Sequence, residues 1–163
     1  MKKVLTYITL VLLAVVQTAS GRYIKIFGVL PNLVLTFTIL YSLTNGSFRA
    51  GVLGLVAGLI IDSSSSTVFG LNALLLMYTA IIISYFSRKF YYENKLASFC
   101  GVCIYTAIYE SILLIFTHVI FSKAPFFSVF FRFVLVESLI NSVIAIPLLY
   151  VVKWLNNEYI RGI

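Results

Sequence analysis

Apolar runs of membrane-spanning length occupy most of this sequence, and the charged residues fall mainly in the short connections between them. Charged residues make up only 10% of the 163 positions, against about 25% in ordinary soluble domains. The mean hydropathy is +1.06. Because such a chain has lipid as its solvent, and lipid leaves no water to satisfy backbone groups, the sequence predicts an all-α integral membrane protein.

Six apolar runs follow one another and predict a single transmembrane domain over residues 1–163. The predicted spans cover about residues 4–20, 24–43, 48–62, 69–86, 96–121 and 126–152. We interpret the first run as a retained helix rather than a cleaved signal peptide, because the rest of the chain also stays in the membrane. Pro31 interrupts the second run, so we expect an irregular segment and then a helix that starts near Pro31, with this proline at the first helical position.

The third apolar run is short and rich in glycine. Twelve residues from Ala50 to Ile61 rise about 18 Å as a helix, which is less than the ~30 Å of the hydrocarbon core. Gly51, Gly54 and Gly58 fall on one face of this helix. A face without side chains lets another helix backbone approach closely, so these glycines predict a packing seam.

The net charge of +7 comes from twelve lysines and arginines against five acidic residues. The basic residues stand singly or in pairs at the ends of the apolar runs, which is typical of contacts with lipid headgroups and not of a nucleic-acid surface. With six spans, eight of them fall on the side of the N-terminus and three on the other, and Arg132 lies within the sixth run. This bias predicts that both termini are cytoplasmic.

Two acidic residues lie near the middle of predicted spans, where a charge costs about 2.5–3.5 kcal/mol on insertion scales. They are Glu110 in the fifth span and Glu137 in the sixth. Each belongs to a polar stripe, and the stripes comprise Cys103, Thr106, Glu110 and Thr117 on one helix and Glu137, Ser138, Asn141 and Ser142 on the other. We expect both stripes to face protein, a cavity or each other. They serve either as bonds between helices or as a polar pocket for a ligand, an ion or a partner helix.

Asp62 and Arg132 lie at similar predicted depth near the outer surface, so we expect them to form an ion pair. Sequence patterns for catalysis are missing. The chain has one histidine and no G-x-S-x-G motif. It also has one aspartate, whereas an intramembrane aspartyl pair needs two. We therefore expect neither an enzyme nor a bound metal or cofactor.

The middle of the chain resembles the MreD family, the small membrane proteins of the bacterial rod-shape system. The resemblance rests on a proline before the second helix, a glycine-spaced third helix that ends in aspartate, and a G-L-x-A-L segment after it. The matching residues are Pro31, Gly54, Gly58, Leu59, Asp62, Gly70, Leu71, Ala73 and Leu74. The sequence departs from the family pattern at Asn32, where an acid is common, and at Leu55, where phenylalanine is common.

The resemblance implies a six-helix bundle similar to the substrate-binding component of energy-coupling-factor vitamin transporters. It also implies partners: an MreC-like bitopic membrane protein, the glycosyltransferase and penicillin-binding transpeptidase of the elongation complex, and MreB filaments directly or indirectly. The implied protein is a non-enzymatic scaffold of the bacterial inner membrane that helps to regulate peptidoglycan synthesis and cell shape.

In this scaffold the glycine seam docks the partner's helix, and Asp62, Glu110 and Glu137 supply polar specificity. The alternative is a small-molecule-binding subunit of a vitamin-type transporter. A third interpretation is a proton or ion path lined by Glu110 and Glu137.

Overall fold

Six α-helices account for most of the described chain. The computed structural model describes residues 2–20, 28–64, 68–91, 95–121 and 130–156, without the side chains of residues 2–3, 20, 87–91, 95, 97, 117–121 and 132. The helices are α1 (Lys2–Ser20), α2 (Leu33–Thr44), α3 (Ser47–Ser64), α4 (Leu71–Tyr91), α5 (Lys95–Phe121) and α6 (Val136–Asn156), and a π-helical segment (Phe130–Leu135) runs directly into α6. The predicted all-α class with six helices is confirmed.

Three stretches are long and apolar enough to cross a bilayer. They are Ser47–Ser64, Ser98–Phe116 and Phe133–Asn156, with mean hydropathies of 1.3, 1.9 and 2.0. The apolar parts of α1, α2 and α4 are shorter. The glycine-rich third run, predicted to be too short, lengthens to 18 residues by including polar residues at both ends. It then rises about 27 Å, close to the thickness of the hydrocarbon core.

The shortest helix, α2, lies at the centre of the bundle and contacts all five other helices. Ten consecutive residues, from Val34 to Leu43, are buried. Two of its buried hydroxyl groups are satisfied within the helix: Thr38 Oγ1 donates to the Val34 carbonyl group at 2.8 Å, and Ser42 Oγ donates to the Thr38 carbonyl group at 2.7 Å. These two side chains therefore need no water inside the core.

The start of α2 is set by a cap. Asn32 is the N-cap residue, and its Oδ1 accepts a hydrogen bond from the Leu35 N–H at 3.1 Å. Gln17 Oε1 of α1 accepts from the Val34 N–H at 3.1 Å. The predicted start near Pro31 is confirmed, but the predicted first helical position is wrong. Pro31 precedes the cap, because the Asn32 side chain satisfies the free amides better than a proline can.

The outer helix α1 is held by a narrow strip of side chains. Thr6, Leu10 and Ala14 are buried at successive turns, whereas Val11 and Val15, on another face, are 50% and 59% exposed. The spacing of four residues places the buried side chains on one face. The rest of α1 therefore presents apolar side chains outward, as expected for a helix that faces lipid.

Candidate functional site

The glycine face of α3 packs directly against α4. A Cβ atom at Gly58 would lie 2.2 Å from the Cα atom of Ala73 and 2.5 Å from its nitrogen. A Cβ atom at Gly54 would lie 2.6 Å from the carbonyl oxygen of Leu76. These neighbours are backbone atoms, so the two helix backbones are in contact along this part of the seam.

The third seam position, Gly51, meets a side chain instead of a backbone. A Cβ atom there would lie 2.8 Å from Cγ1 of Ile81. All three glycines therefore face α4 of the same chain, and the expectation that this seam docks a partner's helix is wrong. The reason is connectivity: six residues join α3 to α4, and helices joined by a short connection become antiparallel neighbours.

A carboxylate at the end of α3 caps the start of α4. Asp62 Oδ2 accepts hydrogen bonds from the N–H groups of Gly70 and Ala73, both at 3.0 Å. Asp62 Oδ1 accepts from the Asn72 N–H at 3.2 Å and from Asn72 Nδ2 at 2.9 Å. We call this arrangement of Asp62, Gly70, Asn72 and Ala73 the Asp62 clasp. It neutralises free amides at the positive end of the α4 dipole.

Local sequence explains how the Asp62 clasp forms. Asp62 lies in the last turn of α3, and Gly70 precedes α4 with φ of +95°. Only glycine adopts this left-handed conformation without strain, and it turns the first amides of α4 towards the carboxylate. The clasp is buried, with Asp62 3% exposed. Asp62 and Gly70 therefore have a structural role within this chain.

A tyrosine missed by the sequence analysis connects the Asp62 clasp to α5. The Tyr109 hydroxyl group donates a hydrogen bond to Asn72 Oδ1 at 2.6 Å. Tyr109 is 1% exposed and is among the largest fully buried side chains of the described chain. The available signal was that Tyr109 lies on the same helix face as Thr106, where a buried phenol needs a polar partner.

The two predicted intramembrane glutamates meet. Glu110 of α5 and Glu137 of α6 lie close enough to interact electrostatically. The side chain of Asn32 lies beside Glu110. We call Glu110, Glu137, Asn32 and Asn141 the acid cluster.

Asn141 completes the acid cluster from α6. Its Oδ1 accepts a hydrogen bond from the Asn32 N–H at 2.9 Å. Its side-chain amide lies close to Glu137, but the buried Nδ2 atom has no hydrogen bond of normal geometry, and the same holds for the buried Thr106 Oγ1. The acid cluster thus joins α2, α5 and α6 with some polar capacity unused.

The remaining predicted polar residues divide into two groups. Ser142 Oγ donates to the Ser138 carbonyl group within α6, and Ser138 Oγ donates to the Leu135 carbonyl group at the end of the π-helical segment, so neither hydroxyl group bonds to another helix. The side chains of Arg132 and Thr117 lie outside the described residues, and so does the predicted ion pair of Arg132 with Asp62. Within the described chain, no three His, Cys, Asp or Glu residues converge as a metal site requires.

A surface groove of about 260 Å³ opens between α1, α2 and α3. Its lining includes Ala14, Gln17 and Thr18 from α1 and Ile60, Ile61 and Ser64 from α3. None of these six side chains is charged. Three of them, Ala14, Thr18 and Ser64, are small, and small side chains are common where helices pack in membranes.

Comparison with known families matches residues 1–158 to the family described as rod shape-determining protein MreD. The chain belongs to the MreD family. Neither the comparison with curated proteins nor that with solved structures gave a match, so the likeness to the vitamin-transporter component stays a prediction. Family membership identifies a bacterial membrane protein with a role in rod-shape determination.

Within this MreD-family protein, five of the nine residues that carried the resemblance lie together. Gly54, Gly58, Asp62, Gly70 and Ala73 form the contact of α3 with α4 and the Asp62 clasp. Their physical role is to hold two helices of one chain together. A surface for partners must therefore be sought elsewhere on the bundle.

Proposed function

We propose that this MreD-family protein is a non-enzymatic scaffold of the cell-elongation complex. It binds an MreC-like bitopic partner and helps to regulate peptidoglycan synthesis by the glycosyltransferase and transpeptidase of that complex. The observation that carries the proposal is the family match over residues 1–158. The Asp62 clasp and the acid cluster each connect several helices, and this supports the proposal, because such cross-links favour a rigid body suited to holding partners.

The groove between α1, α2 and α3 is the contact site that we propose for the partner's transmembrane helix. Thr18 of α1 and Ser64 of α3 are exposed and line the groove on opposite sides. Small side chains at these positions allow a further helix to approach closely. The glycine seam does not serve this purpose, since α4 already occupies it.

Co-purification tests the proposal with two matched variants of α1. Thr18→Phe fills the groove, whereas Val15→Phe adds the same ring at a position that is 59% exposed and outside the groove lining. We expect an affinity-tagged MreC-like protein to recover several-fold less of Thr18→Phe than of Val15→Phe, with equal folded yields by gel filtration.

The outcomes separate the parts of the proposal. Equal recovery of both variants would show that the partner's helix does not bind in the groove. Failure of the wild-type protein to co-purify with any MreC-like partner would contradict the scaffold proposal itself. A vitamin-like molecule retained in the groove through purification would instead favour a small-molecule-binding subunit.

The proposed orientation places both termini in the cytoplasm of a bacterium, with the chain in its inner membrane. The excess of lysine and arginine on the side of the termini supports this orientation. Reporter fusions after residue 163 and within residues 65–67 test it, because a reporter active only in the cytoplasm should work at the first site and fail at the second.

A further inference from the structure

Two fully buried polar side chains of the described chain each keep an atom without a hydrogen bond. The atoms are Oγ1 of Thr106 on α5 and Nδ2 of Asn141 on α6. Both residues are 0% exposed. A buried polar atom without a partner is costly, and the lipid around the bundle supplies no water to reduce the cost. In native proteins, such atoms commonly bind an internal water or an ion.

Thr106 and Asn141 occupy matching positions on two helices in contact. The helices α5 and α6 contain consecutive candidate spans and pack against each other, so they run antiparallel. Their buried residues match in one antiparallel register: Ser98 with Leu149, Val102 with Ala145, Thr106 with Asn141, and Tyr109 with Ser138. The same register pairs Glu110 with Glu137, and the electrostatic contact of these two residues agrees with it. We therefore expect the two unpartnered atoms to lie at the same level of the α5–α6 contact.

We propose that a water molecule binds between α5 and α6 and bridges Thr106 to Asn141. The two side chains do not bond directly to each other, since each atom lacks a partner. Asn141 Nδ2 donates to the water oxygen, because Asn141 Oδ1 already accepts from the Asn32 N–H at 2.9 Å. The Thr106 hydroxyl group donates to the water or accepts from it. This site is independent of partner binding and goes beyond the scaffold proposed above.

The chemistry of the neighbouring groups selects a small neutral ligand. Glu110 follows Thr106 by one turn on the same face of α5, and side chains in a helix lean towards its N-terminus. The Glu110 carboxyl group is therefore placed to accept the further hydrogen bond of the water. A cation at this place would meet the N–H of Asn141, and an anion would meet the carboxyl groups of the acid cluster. Water both donates and accepts, and it makes about three hydrogen bonds when buried.

The sign of a stability change tests the water site in the full-length protein in mixed micelles. Thr106→Val removes the hydroxyl group and keeps the branched shape. A hydroxyl group without any partner would be better removed, so the unfolding midpoint would rise. A hydroxyl group that holds a water is lost at a cost, and we expect the midpoint to fall. Thr38→Val is the matched control, because its hydroxyl group bonds to the Val34 carbonyl group within α2, and its midpoint should stay close to that of the wild type.

A second variant tests whether the two side chains share one ligand. Asn141→Leu removes the donor to the water, so Thr106→Val should no longer lower the midpoint when it is added to Asn141→Leu. A raised midpoint for Thr106→Val alone would overturn the proposal. An equal decrease in both backgrounds would also overturn it, because the hydroxyl group would then act without Asn141.

X-ray radiolysis in water labelled with a heavy oxygen isotope detects the bound water and needs no Asn141 variant. Radicals formed from a bound water label the side chains beside it, and mass spectrometry reads the label. The Tyr109 ring is one turn from Thr106 and only 1% exposed, so radicals in the bulk solvent do not reach it. We expect several-fold more label at Tyr109 in the wild type than in Thr106→Val. Phe37, fully buried on α2 and stacked on Tyr41, should stay unlabelled in both. If Tyr109 is unlabelled in the wild type, or equally labelled in Thr106→Val, no water binds at this site.

Discussion

Replacing Gly58 by alanine adds one methyl group where α3 and α4 are closest. The new carbon would lie 2.2 Å from the Ala73 Cα atom, whereas a comfortable contact between carbons needs about 3.5 Å. The obstructing atoms belong to the backbone at the start of α4 and cannot rotate away. The helices must therefore separate by about 1 Å at this point.

The free-energy change has three parts. Alanine is favoured over glycine inside a helix by about 1 kcal/mol. Overpacking costs about 1–3 kcal/mol. Moving the start of α4 also stretches the Asp62 clasp, and each hydrogen bond to a charged group contributes about 1.5–3 kcal/mol. Losing one of them gives a net destabilisation of about 3 kcal/mol.

Gly51→Ala is the matched control, because it adds the same methyl group seven residues earlier in the same helix. Its new carbon meets the Ile81 side chain, which is partly buried and can change rotamer. The helix-propensity gain then offsets most of the crowding, and we expect a stability within about 1 kcal/mol of the wild type.

Unfolding in mixed micelles with increasing dodecyl sulfate measures both variants. Circular dichroism follows the helices, and the single tryptophan, Trp154, follows α6. Equal unfolding midpoints for Gly58→Ala and Gly51→Ala would refute the packing argument. If Gly58→Ala had normal stability but no longer bound an MreC-like partner, the glycine seam would be a docking site for that partner.

Three further variants and one control variant test the polar contacts in the same unfolding assay. Asp62→Asn removes the charge of the clasp and should cost about 2 kcal/mol, and a change below 0.5 kcal/mol would contradict four bonds to a carboxylate. Tyr109→Phe should cost about 1 kcal/mol, whereas Tyr78→Phe on the exposed face should change stability by less than about 0.5 kcal/mol. Asn32→Ala removes the cap of α2 and should cost about 1 kcal/mol or more, so a neutral result would show that the cap is dispensable.

Hydropathy and turn signals predicted the helices well because each depends on a local property of the chain. The runs of apolar residues located six helices, and the proline located the start of α2 to within two residues. The length of α3 was underestimated, since the count stopped at the first polar residues. Ser47 and Ser64 belong to the helix nevertheless, because a helix continues into the interface as long as its backbone bonds are made.

The partners of individual side chains were predicted less well, because they depend on which helices become neighbours. The periodicity that put Glu110 and Glu137 on polar faces predicted that these faces meet protein, and they do. It gave no means to decide whether the glycine seam faces α4 or another protein. For Asp62, a signal was available in the sequence. Gly70 follows Asp62 by eight residues and Ala73 by eleven, at the start of the next helix, so a carboxylate at the end of α3 can reach the free amides there.

The position of α2 bears on how the chain is assembled during synthesis. Its ten buried residues lie against α4, α5 and α6, which all leave the ribosome later. Before those helices are synthesised, α2 lies either in lipid or in the insertion machinery. A twelve-residue helix is too short to cross the lipid bilayer. The bundle therefore closes around α2 only when translation is nearly complete, and we expect a chain truncated before α6 to be a substrate for proteolysis.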